Sequence, residues 1–132
     1  MELNKKLLNI FKKAKTTSDE DTYTCSYIND LETSIKNLMK FTNWTNLYSS
    51  GNNVIKYRYN AFMVEIRIYM QDAHTTDITT SALPSACRPS ETVSCELTGE
   101  GLNYANLYTD GKIILHNNNA YAGGTMTYTL TN

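Results

Sequence analysis

The stretch Phe62-Met63-Val64-Glu65-Ile66-Arg67-Ile68-Tyr69-Met70 decides the fold. Phe62, Val64, Ile66, Ile68 and Met70 alternate with Met63, Glu65, Arg67 and Tyr69. A period of two sends successive side chains to opposite faces of a strand. One face is apolar and the other largely polar, so the strand belongs to a sheet with one buried side. Upstream, Ile55, Tyr57 and Tyr59 alternate with Lys56 and Arg58, and Asn60 reads as the turn of a hairpin. Downstream, Val93, Cys95 and Leu97 mark another strand, and Met126, Tyr128 and Leu130 alternate with threonines as the last. Asp110-Gly111, between Leu107-Tyr108-Thr109 and Lys112-Ile113-Ile114-Leu115, predicts a type I′ hairpin. Gly123-Gly124 reads as a turn opening the final strand. Pro84 and Pro89 each force an extended residue ahead of them, so this segment is a loop crossing between strands. Roughly six to eight short strands with turns between them predict a mainly β domain, an antiparallel sandwich or barrel.

Ahead of Phe41 the period is helical. Leu3, Leu7, Ile10, Phe11 and Ala14 recur at helical spacing with lysines between them. The polar stretch from Thr16 to Thr22, rich in N-capping residues, breaks that pattern. A second helix follows, with Ile28, Leu31, Ile35 and Leu38 in three-four-three spacing. Such a seam of Ile and Leu can support a trimer. Two heptads are too few for an isolated coiled coil, so the seam either self-associates or packs on the chain's own β domain. The expected organisation is a helical stalk over residues 1–41, a candidate trimeric coiled coil, and an antiparallel β domain over residues 42–132.

The chain has 132 residues, room for one domain with a small appendage, and 41% of them are apolar, enough for a thin core. Its net charge of −1 argues against a nucleic-acid partner. The densest basic stretch, Lys5, Lys6, Lys12, Lys13 and Lys15, reads as a solvated helix face, with membrane-surface binding as the alternative. No apolar run is long enough to span a bilayer and no signal-peptide core opens the chain, so the expectation is synthesis and folding in a cytoplasm without membrane insertion. Cys25, Cys87 and Cys95 are odd in number and lack zinc spacing, which suits buried reduced thiols. Ten tyrosines against three phenylalanines and one tryptophan, with abundant Thr and Asn, favour strands with polar, adhesive faces.

Gln71-Asp72-Ala73-His74-Thr75-Thr76-Asp77 is the sharpest polar cluster. Asp72, His74 and Asp77 could pair with sugar hydroxyls, bind a metal or do acid–base work; the plain alternative is an exposed inter-strand loop. Asn103, Tyr104, Asn106, Tyr108 and Tyr121 form a polar-aromatic set. Rings stack on the C–H faces of sugars while amides bond the hydroxyls, though the same tyrosines would also serve packing between strands or protomers. His116 precedes three asparagines and reads as a turn. Glu65 and Arg67 share a strand face as a solvated or inter-protomer pair, and Trp44 reads as a plug between helix and sheet. No Ser/His/Asp order, paired-carboxylate motif or glycine-rich phosphate loop is present, so no catalytic residue, metal or cofactor is expected.

Four matches, in order, carry a family resemblance. They are Trp44-Thr45-Asn46-Leu47-Tyr48-Ser49-Ser50-Gly51; Tyr57-Arg58 with the strand to Met70; Leu83-Pro84 followed by Arg88-Pro89; and Tyr108-Thr109-Asp110-Gly111-Lys112-Ile113. From Phe41 to the end, the chain resembles a β domain at the C-terminal ends of phage tail fibres, minor tail proteins and receptor-binding proteins. Ala86 and Cys87 stand where that family usually has glycine and an aromatic residue, and Asn60-Ala61 lacks its usual hairpin glycine. The resemblance implies a homotrimeric, non-enzymatic virion component assembled in the host cytoplasm. Its implied partners are other tail proteins and a host-surface saccharide, with the short helical segment looking like the stalk of a small tip protein. The alternative is a tail or baseplate adaptor that binds only virion proteins.

Overall fold

The computed structural model describes residues 25–74, 76–99, 103–116 and 121–130. A split into two compact units falls between Lys40 and Phe41. The first unit contains helix α1, Cys25–Met39. Along its apolar seam Leu31 and Leu38 are half-buried and Ile35 is 42% exposed. Glu32 and Lys36, one turn apart, pair at 2.6 Å on the solvated side. The expected first helix, its lysines, the break from Thr16 to Thr22, and the side chains of Cys25 and Ile28 lie outside the described residues.

The second unit is mainly β. Its strands are β1 (Thr45–Ser50), β2 (Asn53–Tyr59), β3 (Met63–Met70), β4 (Ile78–Thr79), β5 (Val93–Gly99), β6 (Asn103–Leu107), β7 (Ile113–Leu115) and β8 (Ala122–Thr129). All eight form one antiparallel, curled sheet in the order β1-β2-β3-β8-β5-β6-β7-β4. The curl brings the ends of the order together, where Ser81 Oγ, just past β4, donates to the Leu47 carbonyl of β1 at 3.0 Å.

The alternation in β3 has its expected consequence. Val64, Ile66, Ile68 and Met70 are buried, and Ile66 sits between Tyr57 of β2 and Met126 of β8. Leu83, Leu107, Ile113 and Leu115 extend the core. Fully burying such a side chain contributes about 1.5–3 kcal/mol. Phe62 departs from the pattern: it lies in the turn and is 42% exposed. Asn60 governs that turn, because its Oδ1 accepts from the backbone N–H of Phe62 at 2.8 Å and of Met63 at 3.0 Å. A side-chain acceptor thus closes the hairpin without a glycine.

Two glycine readings are corrected. The hairpin at Asp110-Gly111 is not type I′, which needs positive φ at both central residues. Only glycines have positive φ among the described residues; Gly111 has φ 87. Gly111 N–H donates to Tyr108 O and Tyr108 N–H to Lys112 O, the pattern of a three-residue loop ending in a glycine bulge. Gly123 and Gly124 are not a turn but lie inside β8.

The proline crossing is a clasp. Leu83, fully buried, donates its N–H to Gly111 O at 2.9 Å, and Arg88 Nε donates to Leu83 O at 3.0 Å. Tyr128 donates its hydroxyl to the Cys87 carbonyl. Arg88 is extended ahead of Pro89, as the ring of a following proline requires. Cys87 is a buried free thiol and Cys95 a half-buried one.

Candidate functional site

The solvated face of β2, β3 and β8 gathers residues that period-two spacing places side by side. Across the strands Lys56 stands opposite Arg67, Arg58 opposite Glu65, Arg67 opposite Thr125, and Tyr69 opposite Gly123. Trp44, just ahead of β1, joins this face. The Arg58 guanidinium carbon lies 4.5 Å from the indole centroid and 4.6 Å from the Phe41 ring. The Arg67 guanidinium lies 4.6 Å from the same indole and Lys56 Nζ 5.3 Å. Three cations therefore pack against one indole, each attracted to the ring's negative quadrupole.

Glu65 organises two of them. It accepts from Arg58 Nε at 2.7 Å and pairs with Arg58 Nη2 at 2.5 Å. Arg67 reaches it through Nε and Nη2, both at 3.2 Å. Burial pushes the Glu65 carboxyl upward, but hydrogen bonds and charge from Arg58 and then Arg67 outweigh it and hold the group below the usual carboxylate range. Lys56 has no carboxylate within pairing distance among the described residues. The cluster is thus net positive.

Beside it runs an open groove of about 580 Å³. Lys56 and Arg67 line one part, Tyr69 and Tyr121 another, and Thr98 and Thr125 add hydroxyls. The two rings meet edge to face, with centroids 5.8 Å apart and planes at 73°. Both stay exposed, Tyr69 by 45% and Tyr121 by 47%. Gly123 makes this possible: a Cβ there would fall 2.5 Å from the Tyr121 hydroxyl oxygen. The ring lies over bare backbone. Cations, hydroxyls and accessible ring faces around a shallow trough suit a polyhydroxylated ligand.

Of the polar-aromatic set read from the sequence, Tyr121 lines this groove; Asp72, His74, Asp77, Asn103, Tyr104 and Tyr108 lie elsewhere, and most bond to their own fold. Asp72 accepts from Asn52 N–H at 3.0 Å and from Asn52 Nδ2 at 3.2 Å, over the β1–β2 turn where Gly51 has φ 56. His74 closes its loop, with Nδ1 2.8 Å from Thr76 O. In that contact Nδ1–H donates to the carbonyl; Nε2 is buried with no hydrogen-bond partner among the described residues. Asp77 pairs with His116 Nδ1 at 2.9 Å, and the His116 ring packs on Tyr104 with centroids 4.2 Å apart. Asp77 and Tyr104 are therefore brought together through His116, which is more than a turn residue. Asn106 Nδ2 lies 3.4 Å from His116 Nε2, and Ser94 donates to Asn106 rather than to the imidazole. Tyr108 stands apart at its hairpin, 36% exposed. Asn103, expected to face a ligand, is buried at 6% on the core side. It pairs with Leu97, whose face is the inner one. Among the described residues no group of three or more His, Cys, Asp or Glu side chains could hold a metal ion.

Lys56, Arg58, Arg67 and Tyr69 were not singled out as a ligand site. The signal was there: Lys56-x-Arg58 and Glu65-x-Arg67-x-Tyr69 repeat at two-residue spacing on the polar side of paired strands. No protein-family model matches the chain, and no curated protein matches it.

Proposed function

We propose that the chain is a non-enzymatic receptor-binding component of a phage tail tip, acting as a homotrimer, whose β domain recognises a saccharide on the host surface. The groove beside Trp44 carries this reading. Its two exposed tyrosine rings over a glycine backbone offer stacking faces, with hydroxyls and cations at hand for sugar oxygens. The exposed Ile35 on the α1 seam supports self-association. Three grooves on one trimer would raise avidity without new contacts, since single sugar sites bind weakly.

The test is adsorption of the full chain to host cells and to a glycan array, with Tyr121→Ala beside the wild type. Saccharide binding that Tyr121→Ala reduces at unchanged melting temperature is the expected result. Adsorption unaffected by the variant, with no glycan bound, removes the reading and leaves a tail or baseplate adaptor. Light scattering gives the assembly state: a trimer is expected, and Leu31→Asp should weaken it by placing a charge on the seam.

A further inference from the structure

The groove's charge narrows its ligand, on the assumption that the site binds saccharide at all. We propose that it selects acidic saccharides, with Lys56 and Arg67 pairing to a carboxylate or phosphate while Tyr69 and Tyr121 hold the sugar ring. The two cations stand directly opposite each other on β2 and β3, at one part of the groove. Glu65 engages only Nε and Nη2 of Arg67, so the remaining guanidinium nitrogen stays available for an anion. Packing on Trp44 restrains both side chains, which lowers the ordering cost on binding. Glu96, on the neighbouring strand β5, pairs with neither cation among the described residues. A neutral sugar leaves Lys56 without a counter-charge among the described residues; an acidic one supplies it.

The arrangement also predicts register. A carboxylate can reach Lys56 and the remaining Arg67 nitrogen with its two coplanar oxygens, whereas a phosphodiester offers them tetrahedrally placed oxygens from one centre. Either group would bind with its charge toward Lys56 and its ring toward Tyr121.

Three probes separate the possibilities for the full chain: a uronic-acid trisaccharide, a glycerol-phosphate oligomer and a neutral glucose trisaccharide, each titrated calorimetrically. One or both acidic probes should bind at least about tenfold more tightly than the neutral one, as a charge-assisted hydrogen bond warrants. Lys56→Gln and Arg67→Gln should each remove about tenfold for the acidic probe and markedly less for the neutral one, so that the preference for the acidic probe collapses. Salt gives a test that needs no variant: affinity for the acidic probe should fall between low and high salt as screening grows. Equal binding of neutral and acidic probes, insensitive to salt, overturns the acidic preference while saccharide recognition stands. Binding of none of the three, with host adsorption unchanged by Tyr121→Ala, overturns both.

Discussion

The β1–β2 turn and the groove beside Trp44 are neighbouring polar surfaces, Val54 of the groove following Asn53 of the turn, and they use their polar groups in opposite ways. At the turn, Asn53 and Asp72 face the chain. Asn53 is 6% exposed; its Oδ1 accepts from Gln71 N–H and Asp72 N–H, both at 2.9 Å, and its Nδ2 donates to Asp72 O at 3.2 Å. At the groove, Lys56, Tyr69 and Tyr121 face solvent. A polar side chain bonded to its own backbone is part of the scaffold, however suggestive its neighbours in sequence. One packed on an aromatic face and left with open donors remains available to a ligand.

This contrast breaks most visibly at Asn53. Asn53→Ala leaves three backbone groups without partners at a buried position, which should cost about 3 kcal/mol, since each unsatisfied group costs roughly 1–3 kcal/mol and water relieves part of it. Asp72→Ala, at an exposed position, should cost about 1 kcal/mol. Urea denaturation measures both. Neither should alter saccharide affinity of the folded protein. A loss of affinity in Asp72→Ala at full stability would restore the turn as a recognition site.

A second polar group turned inward is the Tyr128 hydroxyl, bonded to the Cys87 carbonyl of the crossing loop. Burial first, and then the nearby Cys87 thiol, raise the Tyr128 hydroxyl well above the ordinary tyrosine range. Because the folded-state value lies above the unfolded one, the group's stabilisation is complete below the unfolded value. It is lost as pH rises from there through the folded one. Tyr128→Phe should cost about 1–1.5 kcal/mol at neutral pH and flatten the alkaline decline seen in thermal melts. An unchanged alkaline limb would show that the hydroxyl does not hold the crossing.

On the outward side, Gly123→Ala isolates ring placement from folding. Its φ is not in the left-handed region, and the added Cβ meets the far end of the Tyr121 ring. The ring can move, so the melting temperature should hold while saccharide affinity drops by roughly threefold to tenfold, the scale of one misplaced stacking contact. Unchanged affinity would mean that the Tyr121 ring is not a platform.

The sheet was legible where one signal stood alone. Alternation from Val64 to Met70 has a single physical meaning, and the strand appears as expected. The same held for Ile55 to Tyr59 and for the helix carrying Leu31 to Leu38. Glycine was ambiguous. Asp-Gly suits a type I′ turn and a glycine bulge alike, and only the hydrogen bonds choose between them. Gly123-Gly124 resembled a turn, yet inside a strand glycine marks a close approach, here of Tyr121. The groove was the hardest to foresee. It needs β8 beside β3, a pairing between distant segments that no local pattern encodes. The family-like motifs turned out to hold the fold: Leu83, Arg88 and Gly111 bind one another.

The smallest expected effect is at Glu65, which belongs to both sides of the contrast. Its side chain is 14% exposed, nearly as enclosed as the turn asparagine, yet its partners Arg58 and Arg67 reach the surface at 29% and 50%. Its folded-state proton affinity is lowered because the arginine hydrogen bonds and charges outweigh burial. A carboxyl lowered on folding stabilises the protein above its unfolded value and loses that contribution as pH falls through the folded one. Glu65→Gln should therefore cost under about 1 kcal/mol at neutral pH, the range of a partly solvated pair. The difference from wild type should shrink as pH falls below about 4.5, the unfolded value, and through the lower folded one, leaving a shallower acid limb in the variant. High salt should reduce the neutral-pH difference as well. A constant difference across pH would assign the effect to packing under Trp44 rather than to charge. In that case the arginines owe their places to the indole alone.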